Sequence, residues 1–415
     1  MTRLRRPWLC WINHCGAGRS IPALVAILLI LSAAPAHSHD PSAWGGLFRS
    51  RDQGATWVSA NRGPFLSGAI ALAISPTDAN NLLLGAESGL FRSRNGGRDW
   101  TIEAASLMLG SVFTLAFAAD GERALLSTGS GIFRSEGENL WRQVAAPEGA
   151  TPARAIIRGN GPGRVYLAGW TGLYRSDDWG GSWSDAAAGL PQQPATALLA
   201  MPGTPETLYA VVQGGIWASV DGARSWTRRG AASFPANIDA LTADERHPGQ
   251  LWAAGGNGLF RSADGGENWQ RVGQALPEPN TTVNGIIVSD ETIVETTDRG
   301  LYRSVDGGEN WTSVIDTLPA HLEARPLLRD PADPASLYAG FALIPYAELW
   351  RRAASHDGAL VRVDVSSLIG GAALLLLLIG AAVAVVRWLG RYYRPSVQSA
   401  STIQTASHRQ KETLR

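Results

Sequence analysis

One short phrase recurs seven times along the chain at nearly constant spacing. Each copy is an aromatic residue, usually Arg, then Ser, a tight turn and Trp. The copies begin at Phe48, Phe91, Phe133, Tyr174, Trp217, Phe260 and Tyr302. They close on Trp57, Trp100, Trp141, Trp183, Trp226, Trp269 and Trp311, at spacings of 43, 41, 42, 43, 43 and 42 residues. Such a period indicates repeated supersecondary units that stack against their neighbours.

The turn between Ser and Trp has its own chemistry. Four copies fit Ser-x-Asp-x-Gly-x-x-Trp in full, and the third is one residue short and lacks the Asp. The Asp position holds Asp52, Asn95, Asp178, Asp221, Asp264 and Asp306 in the other six copies. A carboxylate there can accept hydrogen bonds from backbone amides further along, and Gly supplies a positive φ. We therefore predict a structural role for this position, and we expect each Trp to pack between neighbouring units, worth roughly 4–6 kcal/mol gross.

Two more strand-like runs precede each phrase. Examples are residues 69–75 with 82–86, and 195–200 with 207–212. Each period therefore holds four strands, the size of one propeller blade. The chain begins with the third and fourth strands of a blade and ends, near 325–340, with the first and second. Pairing these halves would close a ring of seven blades, although Leu349-Trp350-Arg351-Arg352 resembles a further third strand and leaves an incomplete eighth blade open.

The repeated phrase resembles the Asp-box, or BNR, repeat of sialidases, sortilin-type receptors and photosystem II assembly-factor-like propellers. The resemblance covers roughly residues 44 to 352. It implies an all-β fold, a seven-bladed β-propeller of four-stranded blades. In the related enzymes the Asp-boxes lie far from the active site, so the resemblance implies a scaffold role for the motif.

The N-terminus has the order of a secretory signal. Arginines at positions 3, 5, 6 and 19 precede an apolar run over 21–31 and then small residues up to Ser38. This pattern predicts a signal peptide over 1–38, cleaved after Ala36 or Ser38, with an uncleaved signal anchor as the alternative. A cleaved signal peptide and an uncleaved anchor would both export the domain that follows, for which we predict bounds of 39–365.

A second apolar run lies near the C-terminus. Residues 368–386 are 19 uncharged, mostly apolar residues, which as a helix span about 28 Å and match a bilayer core. Aromatic and basic residues follow from Arg387 onwards. We predict a transmembrane helix over 366–388 in the cytoplasmic membrane, a cytoplasmic tail over 389–415, and the propeller on the periplasmic or extracellular side.

Composition excludes several classes of function. The net charge is zero and the 36 basic residues are spread along the chain, unlike the basic footprint of a nucleic-acid binder. Both cysteines, Cys10 and Cys15, fall within the predicted signal, and the seven histidines show no ligand spacing. We therefore predict no metal site and no cofactor.

The pattern does not favour catalysis. The resemblance to sialidases implies a site of three arginines, a Tyr nucleophile with a Glu, and an Asp acid, but the Phe/Tyr-Arg-Ile-Pro motif of that family is missing. The carboxylate pair Glu291 and Glu295 is interpreted as a solvated surface. Six arginines share one repeating position, which is typical of structure: Arg49, Arg92, Arg134, Arg175, Arg261 and Arg303. We predict a protein that is not an enzyme, with no catalytic residue.

Residues that break the symmetry are the candidates for a binding site. The inner strands differ in six polar residues that either form a binding mouth or face channel water: Arg154, Arg158, Asp239, Asn284, Arg325 and Arg329. The apolar connection 341–347 is a second candidate, unless it packs against a membrane-proximal stalk.

The sequence leads to two alternative hypotheses about function. The first is a membrane-anchored, non-catalytic scaffold that binds an unidentified protein or peptide. The second is an exported glycan-binding protein or sialidase-like glycoside hydrolase.

Overall fold

The chain forms two compact units, residues 1–354 and 355–415. The computed structural model describes residues 45–63, 66, 68–104, 110–201, 206–230, 237–244, 247, 249–319, 321–355 and 377–389. The predicted signal peptide and most of the predicted cytoplasmic tail lie outside the described residues.

Seven four-stranded antiparallel sheets make up the first unit. The chain starts with β1 (Gly46–Ser50) and β2 (Val58–Ser59). Six blades of four consecutive strands follow. Blade 1 comprises β3 (Ala69–Ile74), β4 (Leu82–Ala86), β5 (Gly89–Ser93) and β6 (Thr101–Glu103). Blade 2 comprises β7 (Val112–Phe117), β8 (Ala124–Thr128), β9 (Ile132–Ser135) and β10 (Trp141–Val144). Blade 3 comprises β11 (Ala155–Arg158), β12 (Val165–Ala168), β13 (Leu173–Ser176) and β14 (Ser184–Asp185).

The remaining blades repeat this order. Blade 4 comprises β15 (Ala195–Met201), β16 (Thr207–Val212), β17 (Gly215–Ser219) and β18 (Thr227–Arg228). Blade 5 comprises β19 (Ile238–Ala243), β20 (Leu251–Gly255), β21 (Gly258–Ser262) and β22 (Gln270–Val272). Blade 6 comprises β23 (Val283–Ser289), β24 (Thr292–Thr297), β25 (Gly300–Ser304) and β26 (Thr312–Ser313). The last strands are β27 (Glu323–Arg329) and β28 (Leu337–Ala342).

Blade 7 joins the two ends of the propeller. Its strand order is β2-β1-β28-β27, with Phe48 opposite Ala339. The inner strands contact one another around the circle, and β27 contacts β3. The prediction of seven blades closed by pairing the ends is therefore confirmed, and closure pairs β1 with β28, whose edges would otherwise be free to pair with other chains.

The turn after Ser has the same hydrogen bonds in most blades. In blade 7, Asp52 Oδ1 accepts the Thr56 amide at 2.8 Å, and Ser50 Oγ accepts the Gly54 amide at 2.8 Å. Asn95 takes the place of Asp and accepts the Asp99 amide at 2.9 Å. Equivalent amide contacts are made by Asp178, Asp221, Asp264 and Asp306. These side chains replace hydrogen bonds that the tight backbone cannot make to itself.

The closing tryptophans connect neighbouring blades. The indole N–H groups of Trp100 and Trp226 donate to the carbonyls of Ala60 and Ala186 in the preceding blade, at 2.7 and 2.8 Å. Four of the seven indoles are buried, Trp57, Trp100, Trp141 and Trp226. The other three, Trp183, Trp269 and Trp311, are half-buried. The expected packing between blades is strongest where the indole is fully covered.

The repeated arginines form a second connection between blades. Arg175 Nη1 donates to the Gly222 carbonyl of the next blade at 2.9 Å, and Arg303 Nε donates to the Gln53 carbonyl at 2.9 Å. Arg49 and Arg134 make longer contacts of the same kind. This geometry agrees with a structural role for the repeating position.

One alternative left open by the sequence and one interpretation of it are wrong. Leu349–Arg352 is not a strand of an eighth blade, because residues Tyr346–Ala354 form a helix, α1. Glu295 is not solvated: it lies on β24 and is 2% exposed, whereas Glu291 is exposed. Burial raises the pKa of Glu295 to about 8, because its charged form loses hydration.

In the second unit, residues 377–389 are helical. The rest of the predicted span, 366–376, lies outside the described residues. Among the helices that are described, none has both the length and the apolar character needed to cross a membrane.

Candidate functional site

The inner strands give the central channel two distinct ends. In each blade the innermost strand leads by a hairpin into the next strand outwards, so the seven inner strands run in one direction along the channel. We call the end where they begin the upper end. Four of the six candidate residues lie there, Arg154, Asp239, Asn284 and Arg325. Arg158 and Arg329 are the last residues of β11 and β27 and lie at the lower end, so the six residues do not form one mouth.

Helix α1 lies over the upper end. Trp350 donates its indole N–H to the Pro152 carbonyl at 3.1 Å, and its ring lies 4.4 Å from the ring of Trp170. Tyr346 packs with Ile70 and Phe113 at the start of blades 1 and 2. The second candidate, 341–347, runs from the end of β28 into the first residues of α1, and it is this helix that covers part of the channel.

Two arginines of the channel stack on aromatic rings of α1. The guanidinium carbon of Arg154 is 3.9 Å from the Trp350 ring centroid, and that of Arg325 is 4.5 Å from the Tyr346 ring centroid. Cations over such ring faces are attracted by the ring quadrupole. These contacts attach the helix to the channel wall.

A polar chain continues from Arg325 around the wall. Arg325 Nη2 donates to Asn284 Oδ1 at 2.5 Å, and Asn284 Nδ2 donates to Glu323 Oε1 at 3.3 Å. Glu323 Oε2 accepts the backbone amide of Tyr346 at 2.7 Å. Asn284 therefore positions Arg325 and Glu323 rather than offering a free amide to a ligand.

Burial shifts the ionisation of the groups at this end. It raises the pKa of Asp239 to about 6, although the amide of Val283 partly offsets the loss of hydration. It lowers the pKa of Arg154, and the charge of Arg325 adds to that effect. It also raises the pKa of Tyr346 to about 12.

The lower end of the channel has fewer features of a binding site. Arg329 Nη2 donates to the Val288 carbonyl and to Ser289 Oγ, both at 2.6 Å, and so braces β27 against blade 6. Arg158 is exposed and lines a shallow pocket of about 300 Å³ with apolar residues such as Leu115 and Leu328.

A groove of about 1140 Å³ lies beside α1, above blades 3 and 4. Its floor and walls include Trp170, Tyr174, Leu190 and Pro191, and the helix contributes Ala347 and Trp350. Its charged lining is Arg154, Arg351 and Asp185. The repeat pattern does not predict this groove, because the groove depends on α1. The spacing of Tyr346 and Trp350 by four, with Glu348 four residues before Arg352, is nevertheless a helical signal.

The upper end differs from a sialidase-type site. Glu323 accepts the backbone amide of Tyr346, and the Tyr346 hydroxyl has no partner within hydrogen-bond distance. The pKa of this hydroxyl is raised, opposite to the activation that a nucleophile needs. In the described part of the chain, no group of three or more His, Cys, Asp or Glu side chains is placed to hold a metal ion.

Comparison with known proteins finds solved structures of the same fold but little similarity in sequence. No family model matches the sequence, and no curated protein matches it. Among solved structures, YCF48 from Cyanidioschyzon merolae has a TM-score of 0.50 and 14% identity, over 67% of this chain and 96% of that one. YCF48 bound to D1 peptide has a TM-score of 0.51 and 16% identity, over 68% and 96%.

A glycoside hydrolase is also similar in fold. The GH74 xyloglucanase from Xanthomonas campestris has a TM-score of 0.50 and 20% identity, over 69% of this chain and 53% of that one. At such identities the likeness establishes the propeller fold, which serves both binding proteins and enzymes.

Proposed function

We propose that this protein is a non-catalytic binding module that holds an extended segment of a partner protein in the groove beside α1. The observation that carries the proposal is the groove itself, about 1140 Å³ of concave surface with aromatic and proline walls and few charges. A structure similar in fold, YCF48, is described as bound to a peptide.

The lining of the groove suits a peptide. Trp170 is 37% exposed and lines the groove, and Pro191 and Pro194 give part of the lining a rigid backbone. Aromatic and proline-rich walls bind extended chains at low entropic cost. Arg154 and Arg351 outnumber Asp185, so the groove favours a segment that carries negative charge.

The same lining does not favour glycoside hydrolysis. That reaction ordinarily uses two carboxyl groups that face each other across the scissile bond. Among the described residues that line the groove, Asp185 is the single carboxylate, and it is exposed.

Site-specific photocrosslinking tests the binding role. A photoreactive residue at Gln192, which is exposed in the groove wall, is expected to capture a defined partner in native membranes. The same residue at Val58, 63% exposed on the outer strand of blade 7, is the control and should not. Ala347→Trp fills the groove from an exposed helix position and should abolish the adduct, whereas Arg352→Trp on the same helix should not. Equal adducts at both positions, or an Ala347→Trp variant that crosslinks normally, would contradict the proposal.

Export and anchoring are part of the same proposal. They are supported by the basic, apolar and small residues of 1–38 and by the 19 uncharged residues of 368–386. We expect a Thr227→Cys variant to react with a membrane-impermeant thiol reagent in intact cells and a Ser401→Cys variant to react only after lysis. Deletion of 366–388 should release the propeller from carbonate-washed membranes. Release of the undeleted protein by carbonate would contradict the anchor.

A further inference from the structure

Three buried hydrogen-bond donors beneath α1 have no acceptor. Arg154 Nε, Arg325 Nε and the hydroxyl of Tyr346 are buried and make no hydrogen bond. Tyr346 itself is 4% exposed. Leaving a buried polar group unpaired costs about 1–3 kcal/mol, so three such groups in one place require an explanation.

The three donors lie close together. Tyr346 and Trp350 are four residues apart on α1 and share the face that covers the channel. Arg325 stacks on the first ring and Arg154 on the second. The charges of Arg325 and Arg154 both act on the Tyr346 hydroxyl, and Arg325 also lowers the pKa of Arg154. The three residues that carry these donors therefore form one cluster beneath α1 at the upper end of the channel.

Of the two arginines, only Arg154 has no carboxylate partner among the described residues. Arg325 Nε lies 3.6 Å from Glu323 Oε1, so its charge is balanced. No carboxylate among the described residues lies within 4.0 Å of Arg154. Three further acids lie at this end: burial opposes the ionisation of Asp239, Glu87 Oε1 accepts the backbone amides of Leu343 and Ile344, and Asp298 accepts the amide of Thr282. A single anionic ligand would complete both the charge and the hydrogen bonds.

We infer that the upper end of the channel is a binding site for a small monocarboxylate, held by Arg154, Arg325 and Tyr346. A carboxylate is planar and accepts from guanidinium N–H groups in the geometry that Arg offers. A phosphate dianion would place excess negative charge beside Glu323, which disfavours it. The inference does not depend on the peptide-binding role of the neighbouring groove.

Calorimetric titration of the full-length protein in detergent, in a buffer free of carboxylates, tests the site. We expect acetate to bind saturably, and phosphate and chloride to bind more weakly. Tyr346→Phe removes only the hydroxyl and should weaken acetate binding several-fold. Arg154→Met keeps a side chain over Trp350 and should weaken binding by about tenfold or more, the loss of a charge-assisted hydrogen bond. Arg158→Met, at the lower end, is the matched control and should bind as the unmodified protein does.

Further titrations identify which kind of molecule supplies the carboxylate. A tetrapeptide with a free C-terminus that binds like acetate, while its C-terminal amide does not, would show that a polypeptide end enters the site. Acetate binding without peptide binding would indicate a free metabolite. No saturable acetate binding, a preference for phosphate or chloride, or equal affinity in Tyr346→Phe and the unmodified protein would overturn the inference.

Discussion

Arg92 and Glu103 form a two-pronged ion pair in the interior of the propeller. Arg92 Nε and Nη2 donate to the two carboxylate oxygens at 2.9 and 3.0 Å, and the two side chains are 2% and 1% exposed. Glu103 Oε1 also accepts the amide of Asn139 and the indole N–H of Trp141 from blade 2. Burial alone would raise the pKa of Glu103, but these hydrogen bonds outweigh burial and lower it.

We expect Glu103→Gln to destabilise the protein by about 3–5 kcal/mol, because it leaves Arg92 charged and buried without its partner. Chemical denaturation monitored by circular dichroism measures the free energy of unfolding. The control is Glu138→Gln in the exposed pair Arg94–Glu138, which should cost less than about 1 kcal/mol. A similar loss of unfolding free energy in the two variants would contradict the larger contribution expected of the buried pair.

Glu295 should make stability fall as pH rises. The folded state holds this proton up to a pKa of about 8, whereas the ordinary value is 4.5, so the folded protein binds more protons between these limits. The contribution of Glu295 to stability is therefore fully present below about pH 4.5 and is lost towards pH 8, by on the order of 5 kcal/mol.

Glu295→Gln tests this dependence. The variant should remove most of the decline and be more stable than the unmodified protein near pH 8, whereas Glu291→Gln, at an exposed site, should leave the profile unchanged. The measurement is the unfolding free energy from pH 5 to pH 9, and parallel profiles for the two variants would disprove the assignment.

Two turn glycines with similar backbone angles should respond differently to the same substitution. Gly54 and Gly266 have φ of 80° and 87°, and Ala223 shows that Ala can occupy this position at φ of 66°. A Cβ on Gly54 would lie 2.9 Å from Val294 Cγ2, while on Gly266 the nearest atom is 3.5 Å away. Gly266→Ala should cost about 1–2 kcal/mol from the left-handed backbone alone. Gly54→Ala should destabilise the protein clearly more, because its new methyl group would also clash with Val294. Thermal unfolding that shows equal destabilisation in the two variants would refute this clash.

Trp350 should control the local stability of α1. Trp350→Ala removes the ring contacts to Trp170 and Arg154 together with the hydrogen bond to Pro152. We expect amides of 346–354 to lose hydrogen-exchange protection equivalent to roughly 3 kcal/mol while the blades keep theirs. Arg352→Ala, on the exposed face, should change protection by less than about 1 kcal/mol. Loss of protection throughout the propeller would mean that α1 is not an independent cover.

The sequence predicted the ring well because its signal is repeated. A Trp every 41 to 43 residues and a Ser-x-Asp turn before it repeat the same local physics seven times, so chance cannot imitate them. The helix occurs once and is nine residues long, and its residues Leu349-Trp350-Arg351 match the Leu-aromatic-Arg sequence of the third strands. Glu295 was misjudged although the equivalent strand position, opposite the repeated aromatic residue, holds Leu84, Leu126 and Ala253 in other blades, which marks it as facing the core.

The upper-end residues show a related limit. Arg154 and Arg158 are four residues apart in sequence, yet they lie at opposite ends of the channel because a strand separates them. Tyr346, which completes the group of donors, lies far along the chain from Arg154. Such groupings depend on the closure of the ring and on α1, so no local pattern predicts them.

Blade 7 sets an order on assembly. Its outer strands are synthesised first and its inner strands last, so β1 must wait with an unpaired edge until β28 has emerged. Contacts between such distant segments form slowly, since a long loop must close before they gain anything. Because α1 directly follows β28, a helix seated on the channel marks a chain whose circle is already complete, and a truncated or stalled chain would leave that opening bare.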